Sequence, residues 1–194
     1  GGRHAILGGR LRRFLPMNVL PRAVDAAVLR PLTPDDLDAC HRLSMAVGWA
    51  HRREDWGLVL GLGQGFAAIA AGEMVGTAMW WEFGSGHASL GSIIVAPERQ
   101  GAGIGRLLMQ GLVQATQGRS LCLIATEEGR PLYAKFGFVP VGTVLQHQGP
   151  APTIAAPALR PAEKLRPATA VDLPVLAELD KGATGLPRGP ALAA

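Results

Sequence analysis

The chain has 194 residues, a formal net charge of +4 and a hydrophobic fraction of 48%. This length accommodates one domain of ordinary size with residues to spare, and the apolar fraction argues against wholesale disorder. No apolar run approaches the roughly 18 residues that span a bilayer, and no signal-peptide pattern is visible. Five arginines precede Ala26, so the basicity does not indicate a nucleic-acid surface. We therefore expect a cytoplasmic protein that binds neither membrane nor nucleic acid.

Two cysteines, Cys40 and Cys122, lie far apart in apolar patterns. Such isolated cysteines are typical of small core side chains in a reducing compartment, because a disulfide framework or a metal site needs clustered cysteines. We expect no metal site.

The first structured element is predicted shortly after the basic start of the chain. Residues 1–26 are rich in glycine and arginine without a sustained hydrophobic period, and are predicted to be poorly ordered. A short strand then runs from Ala27 to Arg30. Thr33 or Asp35 is placed to cap the helix that follows. The apolar stripe of this helix comprises Leu37, Cys40, Leu43, Ser44 and Val47.

A second helix is predicted over residues 52–60, and the period then changes to that of strands. Residues 65–70 and 74–81 form a predicted hairpin, and residues 88–95 form the fourth strand. Trp80 and Trp81 alternate across the hairpin, so one faces the core and the other could wall an acceptor site.

The remaining pattern alternates between helix and strand. A helix is predicted over 105–116, a strand buried on both faces over 121–125, a short helix from Pro131, and final strands over 138–146. This order predicts an α/β domain in which helices flank a mixed central sheet.

An internal repeat follows the predicted domain. Residues 149–164 form a Pro/Ala-rich linker. The pattern Leu-Arg-Pro-x-Thr-x-x-Asp-Leu, which starts at Leu29, starts again at Leu165, an offset of 136 residues. Because this offset is about one domain length, residues 165–194 are interpreted as the opening strand and helix of a second, truncated copy.

A glycine-rich turn stands between the fourth strand and the following helix. Gly101, Gly103 and Gly105 leave backbone N–H groups free to surround a phosphate at the positive end of the helix dipole. A Walker loop would need lysine and a hydroxyl residue where Arg106 and Leu107 stand, and a dinucleotide fingerprint would need a glycine at 106 or 108. The turn fits neither.

The pattern Val95-x-Pro97-x-x-Gln100-x-x-Gly103-x-Gly105 resembles the acyl-CoA pyrophosphate loop of the GNAT superfamily of N-acetyltransferases. The segment from Leu132 to Phe138, with its tyrosine and Gly-Phe pair, resembles the second signature of that family. The resemblance covers about residues 27–148, and the copy at Leu165 looks like the second module of a tandem member. The family often has asparagine seven residues before the tyrosine, where this chain has Thr126.

The resemblance implies that acetyl-CoA is the cosubstrate and that Tyr133 gives a proton to the departing sulfur. Glu82 and His87 are weaker candidates, for the base that accepts the proton of the amine. Glu54 and Asp55 are weaker candidates still, for shaping the pocket of the acceptor. The implied acetyl-CoA contacts are Ile93, Ile94, Val95, Gln100, Gly101, Ala102, Gly103, Ile104, Gly105 and Arg106.

Three functions stay open at this point. The first is an N-acetyltransferase in which a small-molecule or peptide amine attacks acetyl-CoA directly. The second is a catalytically weak acyl-CoA-binding module with a sensory or structural role, and the third a nucleotide-binding α/β protein. A homodimer and pairing with another GNAT-like module are both compatible with the sequence.

Overall fold

The computed structural model describes residues 2–10, 27–147, 149–150 and 158–193. Within these residues seven strands form one sheet, accompanied by six α-helices. The strands are β1 (Gly2–Arg10), β2 (Val28–Pro31), β3 (Gln64–Ala70), β4 (Glu73–Phe83), β5 (His87–Val95), β6 (Ser120–Ala125) and β7 (Val139–Gln146). The helices are α1 (Leu37–Ala46), α2 (Arg53–Leu62), α3 (Ile104–Ala115), α4 (Arg130–Lys135), α5 (Leu173–Thr184) and α6 (Gly189–Ala193).

The strands lie in the order β2-β3-β4-β5-β6-β1-β7. All neighbouring pairs are antiparallel except β5 and β6, which are parallel. One core cluster joins α3 and α4 to residues such as Ala78 and Trp80, and a second joins α1 and α2 to Ala67 and Met79. Because alternate residues of a strand point to opposite faces, the helices cover both faces. The predicted mixed sheet flanked by helices is confirmed.

The prediction that residues 1–26 are poorly ordered is wrong for Gly2–Arg10. This segment is β1, which pairs with β6 on one side and β7 on the other, and Ala5 and Leu7 are buried in the core. The glycines around these two residues hid the alternation that marks a strand. Residues 11–26 lie outside the described residues. Because of β1, the glycine-rich turn follows the fifth strand of the chain and not the fourth.

The prediction that the strand at 121–125 is buried on both faces is also wrong. Leu121, Leu123 and Ala125 are buried, whereas Ile124 is 61% exposed and Cys122 is partly exposed. One face of β6 therefore packs in the core, and the other leaves an apolar surface open to a ligand.

The sequence repeat is also a structural repeat. In the first copy Arg30 donates two hydrogen bonds of 2.7 Å to the carboxylate of Asp36, which also accepts from the backbone N–H of Thr33 at 2.9 Å. In the second copy Arg166 donates to Asp172 at 2.7 and 2.6 Å, and the N–H of Thr169 donates at 2.8 Å. We call each set the clasp of its copy. Thr33 is the N-cap of the short 3-10 turn Pro34–Asp36 that leads into α1, and Asp36 is the N-cap of α1 itself.

The two clasps differ in their surroundings. The side chain of Asp36 is 9% exposed, and that of Asp172 is 22% exposed. Leu43 of α1 is buried, whereas its counterpart Leu179 of α5 is 66% exposed. The first clasp is therefore part of a packed domain, and the second lies at the base of a helix whose apolar face is uncovered in the described residues.

This difference predicts unequal effects of one substitution in the two clasps. The Arg30 guanidinium lowers the pKa of Asp36 from 3.8 to about 2, so the clasp stabilises the fold above pH 4 and loses its effect as pH falls through 2. Asp36→Asn should lower the free energy of unfolding at pH 7 by about 2 kcal/mol, measured by urea denaturation. Asp172→Asn is the matched control and should leave the main unfolding midpoint unchanged. Equal losses would contradict the assignment of the first clasp to the packed domain.

Candidate functional site

A cleft opens where β5 and β6 separate. Their parallel pairing runs from His87 opposite Ser120 to Leu90 opposite Leu123, and in the described ladder it goes no further. A cavity of about 510 Å³ lies beyond this point, between the second half of β5, the glycine-rich turn and α4. The edge of β5 from Gly91 to Val95 that faces away from β4 is therefore available to pair with an extended ligand.

A β-bulge accompanies the separation. Thr77 of β4 lies opposite Ile94 and Met79 opposite Gly91, so two residues of β5, Ser92 and Ile93, oppose Ala78 alone. An inserted residue bends a strand and increases its local twist. The bulge thus turns the second half of β5 away from β6 and widens the cleft.

The glycine-rich turn forms one end of the cleft. Gly101 and Gly103 have φ of +78° and +84°, a backbone conformation that favours glycine, and a Cβ at either position would have no neighbour within 4 Å. Gly103 is the N-cap of the 12-residue helix α3. The first N–H groups of this helix lack intrahelical partners and lie at the positive end of its dipole. The open space and the free donors fit a pyrophosphate.

Two further contacts shape this end. A Cβ on Gly105 would lie 3.2 Å from Cδ2 of Leu132, so a larger side chain would push α3 and α4 apart. The side-chain amide of Gln100 donates to the carbonyl oxygen of Val95 at 3.2 Å, which ties the turn to the end of β5.

Tyr133 of α4 lines the same cleft. Its ring stacks edge-on against Phe138, with 6.4 Å between the centroids, and burial raises the pKa of its phenol to about 12. The hydroxyl therefore stays protonated at physiological pH and can act as a proton donor. A Cβ on Gly129 would lie 2.8 Å from Cε2 of the Tyr133 ring, so glycine is needed there for the ring to keep its position.

The cleft brings together most of the residues expected to contact acetyl-CoA. Its wall contains Ile93, Ile94, Val95, Gln100, Gly101, Ile104 and Gly105, together with Tyr133. Ala102, Gly103 and Arg106 belong to the same turn and the first turn of α3, although they are not part of the wall itself.

Glu82 and His87 do not face the cleft, contrary to the expectation from the sequence. Both lie at the far ends of their strands, and His87 is eight residues from Val95, or about 25 Å along extended chain. Glu82 is paired with Arg119. The turn between β4 and β5 thus projects away from the glycine-rich turn, because the two occupy opposite ends of β5.

The other expected acceptor residues are also elsewhere. Trp80 is buried, and Trp81 donates its indole N–H to the carbonyl oxygen of Val59 at 2.8 Å. Asp55 is paired with Arg52, and neither Asp55 nor Glu54 belongs to the cleft wall.

The cleft wall also contains residues that the sequence did not indicate as part of a site, among them Val47, Trp49 and Glu128. Val47 and Trp49 lie between α1 and α2, and Glu128 lies between β6 and α4. Hydrogen bonds from its own backbone N–H and from Thr126 lower the pKa of the Glu128 carboxyl. Val47 and Trp49 follow the end of α1 as ordinary apolar residues, so no local signal in the sequence marks them as part of a site.

The residues of the cleft fit acetyl-CoA on three counts. The glycine-rich turn has space and donors for a pyrophosphate, the second half of β5 has a free edge for the pantetheine amides, and Leu123 and Ile124 supply an apolar wall. Each feature comes from the backbone or from apolar side chains, which is what an extended, largely uncharged arm requires.

Comparison with known families agrees with this geometry. Residues 62–140 match the family model described as an acetyltransferase (GNAT) domain. The chain contains a GNAT domain. The match runs from the end of α2 into β7 and includes the glycine-rich turn and Tyr133.

Solved structures share the fold of this GNAT domain. A provisionally assigned acetyltransferase from Pyrococcus horikoshii aligns at a TM-score of 0.64 and 20% identity, covering 94% of this chain and 64% of that protein. One from Novosphingobium aromaticivorans aligns at 0.53 and 18%, covering 73% of this chain and 61% of that protein. The ribosomal-protein-S18-alanine N-acetyltransferase of Escherichia coli aligns at a TM-score of 0.54 and 21% identity, covering 58% of this chain and 77% of that protein. At these identities the likeness establishes the fold alone.

The proteins from Novosphingobium and Pyrococcus are longer than this chain, which spans 61% of the former and 64% of the latter. A search of curated proteins found no match. No helix among the described residues has the length and apolar character needed to cross a membrane. The described residues also contain no group of three or more His, Cys, Asp or Glu side chains arranged to hold a metal ion.

Proposed function

We propose that the GNAT domain transfers the acetyl group of acetyl-CoA to a primary amine by direct attack. The observation that carries this proposal is that the free N–H groups of the glycine-rich turn and the protonated hydroxyl of Tyr133 belong to one cleft. The cleft thus combines a site for the pyrophosphate of the carrier with a proton donor for its sulfur.

The proposed reaction needs little from side chains. The amine nitrogen forms a bond to the acetyl carbon, the carbon–sulfur bond breaks, and the sulfur takes a proton from Tyr133. A backbone N–H near Ile93 or Ile94 stabilises the negative charge on the carbonyl oxygen. The proton lost by the amine passes to water, and the Tyr133 phenolate regains a proton from water, so the site returns to its starting state.

The acceptor amine enters beside Val47 and Trp49 in this proposal. These residues come from the connection between α1 and α2, and the ring of Trp49 is held by an edge-on contact with His51 at 5.4 Å. An aromatic and an aliphatic side chain at the mouth favour an acceptor with apolar surface next to its amine.

Trp49→Ala should therefore raise the KM for the amine by about 10-fold while the Kd for acetyl-CoA changes little. Steady-state kinetics over a range of amine concentrations measures the first value, and calorimetry the second. Trp49→Phe, which keeps an aromatic ring, is the control and should stay close to the unmodified protein. An unchanged amine KM in Trp49→Ala would place the acceptor elsewhere.

Two assays together test the proposed function. Calorimetric titration with acetyl-CoA should give saturable binding, and a thiol-release assay over a panel of amines should find turnover. Binding without turnover on any amine would favour the alternative of an acyl-CoA-binding module. Stronger binding of ATP or NAD than of CoA would favour a nucleotide-binding protein.

We also propose that residues 165–193 open a second GNAT-like unit, as in tandem members of the superfamily. The support is the repeated clasp and the uncovered apolar face of α5. Lys164 is exposed and lies immediately before the second copy, whereas Arg160 and Arg166 are each followed by proline, which blocks trypsin. Brief trypsin treatment should therefore cut after Lys164 first and leave a fragment that still binds acetyl-CoA. Loss of binding with this first cut would contradict the boundary.

A further inference from the structure

Thr77 of β4 contacts the bulge that opens the cleft. Its side chain is fully buried, and its hydroxyl donates a hydrogen bond of 2.8 Å to the carbonyl oxygen of Ser92. Ser92 has φ of +48°, and among the described residues only Ala71 is another non-glycine residue with positive φ. Bulges with such a backbone usually have glycine at this position. A buried hydroxyl therefore holds a strained residue.

The bulge determines which way the second half of β5 faces. Ala88 and Leu90 belong to the core cluster beneath α3, whereas Ile94 and Ala96 belong to the cluster beneath α1 and α2. On a regular strand these even-numbered residues would share one face, so the extra residue exchanges the two faces. The pairing with β6 ends at Leu90, just before this exchange. The shape of the β5 wall thus depends on the backbone of Ser92.

We propose that Thr77 is a positioning residue of the acetyl-transfer site. Its hydroxyl holds the Ser92 bulge and thereby directs one backbone N–H, at Ile93 or Ile94, into the cleft. Thr77 is not part of the cleft wall, so it acts through Ser92 and moves no proton itself. This inference rests on the proposed function of the same site.

The first test removes the hydroxyl and keeps the shape of the side chain. Thr77→Val should lower kcat by about 10-fold, since a displaced backbone donor costs rate more than affinity. The Kd for CoA, measured by calorimetry, should change by less than about 3-fold because the glycine-rich turn is intact. Thr77→Ser keeps the hydroxyl and should restore kcat. Should Thr77→Val lose its cooperative unfolding, Thr77→Ala is measured in the same way.

The second test adds a substitution at Ser92. Its expected rescue of kcat would not occur if Thr77 acted through packing alone. Glycine adopts positive φ without strain, so adding Ser92→Gly to Thr77→Val should restore kcat to within about 3-fold of the unmodified protein. A low kcat that Ser92→Gly does not raise would mean that Thr77 acts through packing and would overturn the proposal. An unchanged kcat in Thr77→Val would overturn it as well.

Hydrogen exchange separates failure of this inference from failure of the proposed function. The backbone N–H groups of residues 92–95 should exchange about 10-fold faster in Thr77→Val, whether or not an acceptor amine is known. Unchanged exchange would overturn the role of Thr77. If the unmodified protein binds acetyl-CoA normally but turns over no amine, the proposed function is overturned. The exchange result then still decides whether Thr77 holds the bulge.

Discussion

Gly103→Asp should abolish acetyl-CoA binding without unfolding the protein. Aspartate tolerates positive φ better than most residues and is a favoured N-cap, so α3 should keep its start. Its carboxylate, however, would stand where the pyrophosphate is expected and would repel it. We expect the Kd for acetyl-CoA, measured by calorimetry, to rise by at least about 100-fold.

Gly118 provides a matched control for this substitution. It too has positive φ, +81°, and open space around its Cβ position, but it lies after α3, away from the cleft. Gly118→Asp should have the same backbone strain and an unchanged Kd. Gly103→Asn should have an intermediate effect, because it fills the space without the charge. A Kd for Gly103→Asp within about 3-fold of the unmodified protein would show that the turn does not hold the pyrophosphate.

Tyr133→Phe should lower the rate of acetyl transfer by about 100-fold, the usual contribution of a positioned acid. Phenylalanine keeps the edge-on contact with Phe138 and removes only the hydroxyl, so the fold and the Kd for acetyl-CoA should be preserved. Single-turnover measurement at saturating acetyl-CoA is the suitable assay, because slow product release could mask the chemical step.

The pH dependence provides the control for Tyr133. Because burial raises the pKa of this phenol to about 12, its ionisation should cause no loss of rate below about pH 10. A rate in Tyr133→Phe equal to that of the unmodified protein would remove the proposed acid role and leave the sulfur to be protonated by solvent.

The glycine-rich turn and the tyrosine helix could be predicted because both are local patterns. A glycine that must adopt positive φ at a helix start, and a tyrosine two residues after a proline, leave marks in consecutive residues. Their convergence on one cleft follows from the parallel pair β5 and β6, which the order of strand, helix and strand already indicates.

The misplaced residues depended on distant parts of the chain. Glu82 and His87 were expected near the substrate because they flank the strand that bears the turn, but a strand of nine residues keeps its two ends far apart. Val47 and Trp49 reach the cleft only because α1 and α2 pack on the same face as Met79 and Ile94. Neither fact can be read from neighbouring residues.

The apolar run at 121–125 was misread for a functional reason. A strand in the middle of a sheet usually buries both faces beneath helices. In this domain one face of β6 borders the cleft. No described element covers Ile124 on that face, and its side chain is therefore exposed. An exposed apolar residue in the wall of the proposed acetyl-CoA cleft is better explained by a ligand than by the core.

The position of β1 has a consequence for the synthesis of the protein. Ala5 lies opposite Ala125 on one side and Thr143 on the other, so β1 is synthesised long before both of the strands that flank it. Contacts of such large sequence separation slow folding, because a long loop must close before they form. The sheet can be completed only after β7 has emerged, and until then β1 is a strand edge that chaperones or other chains can bind.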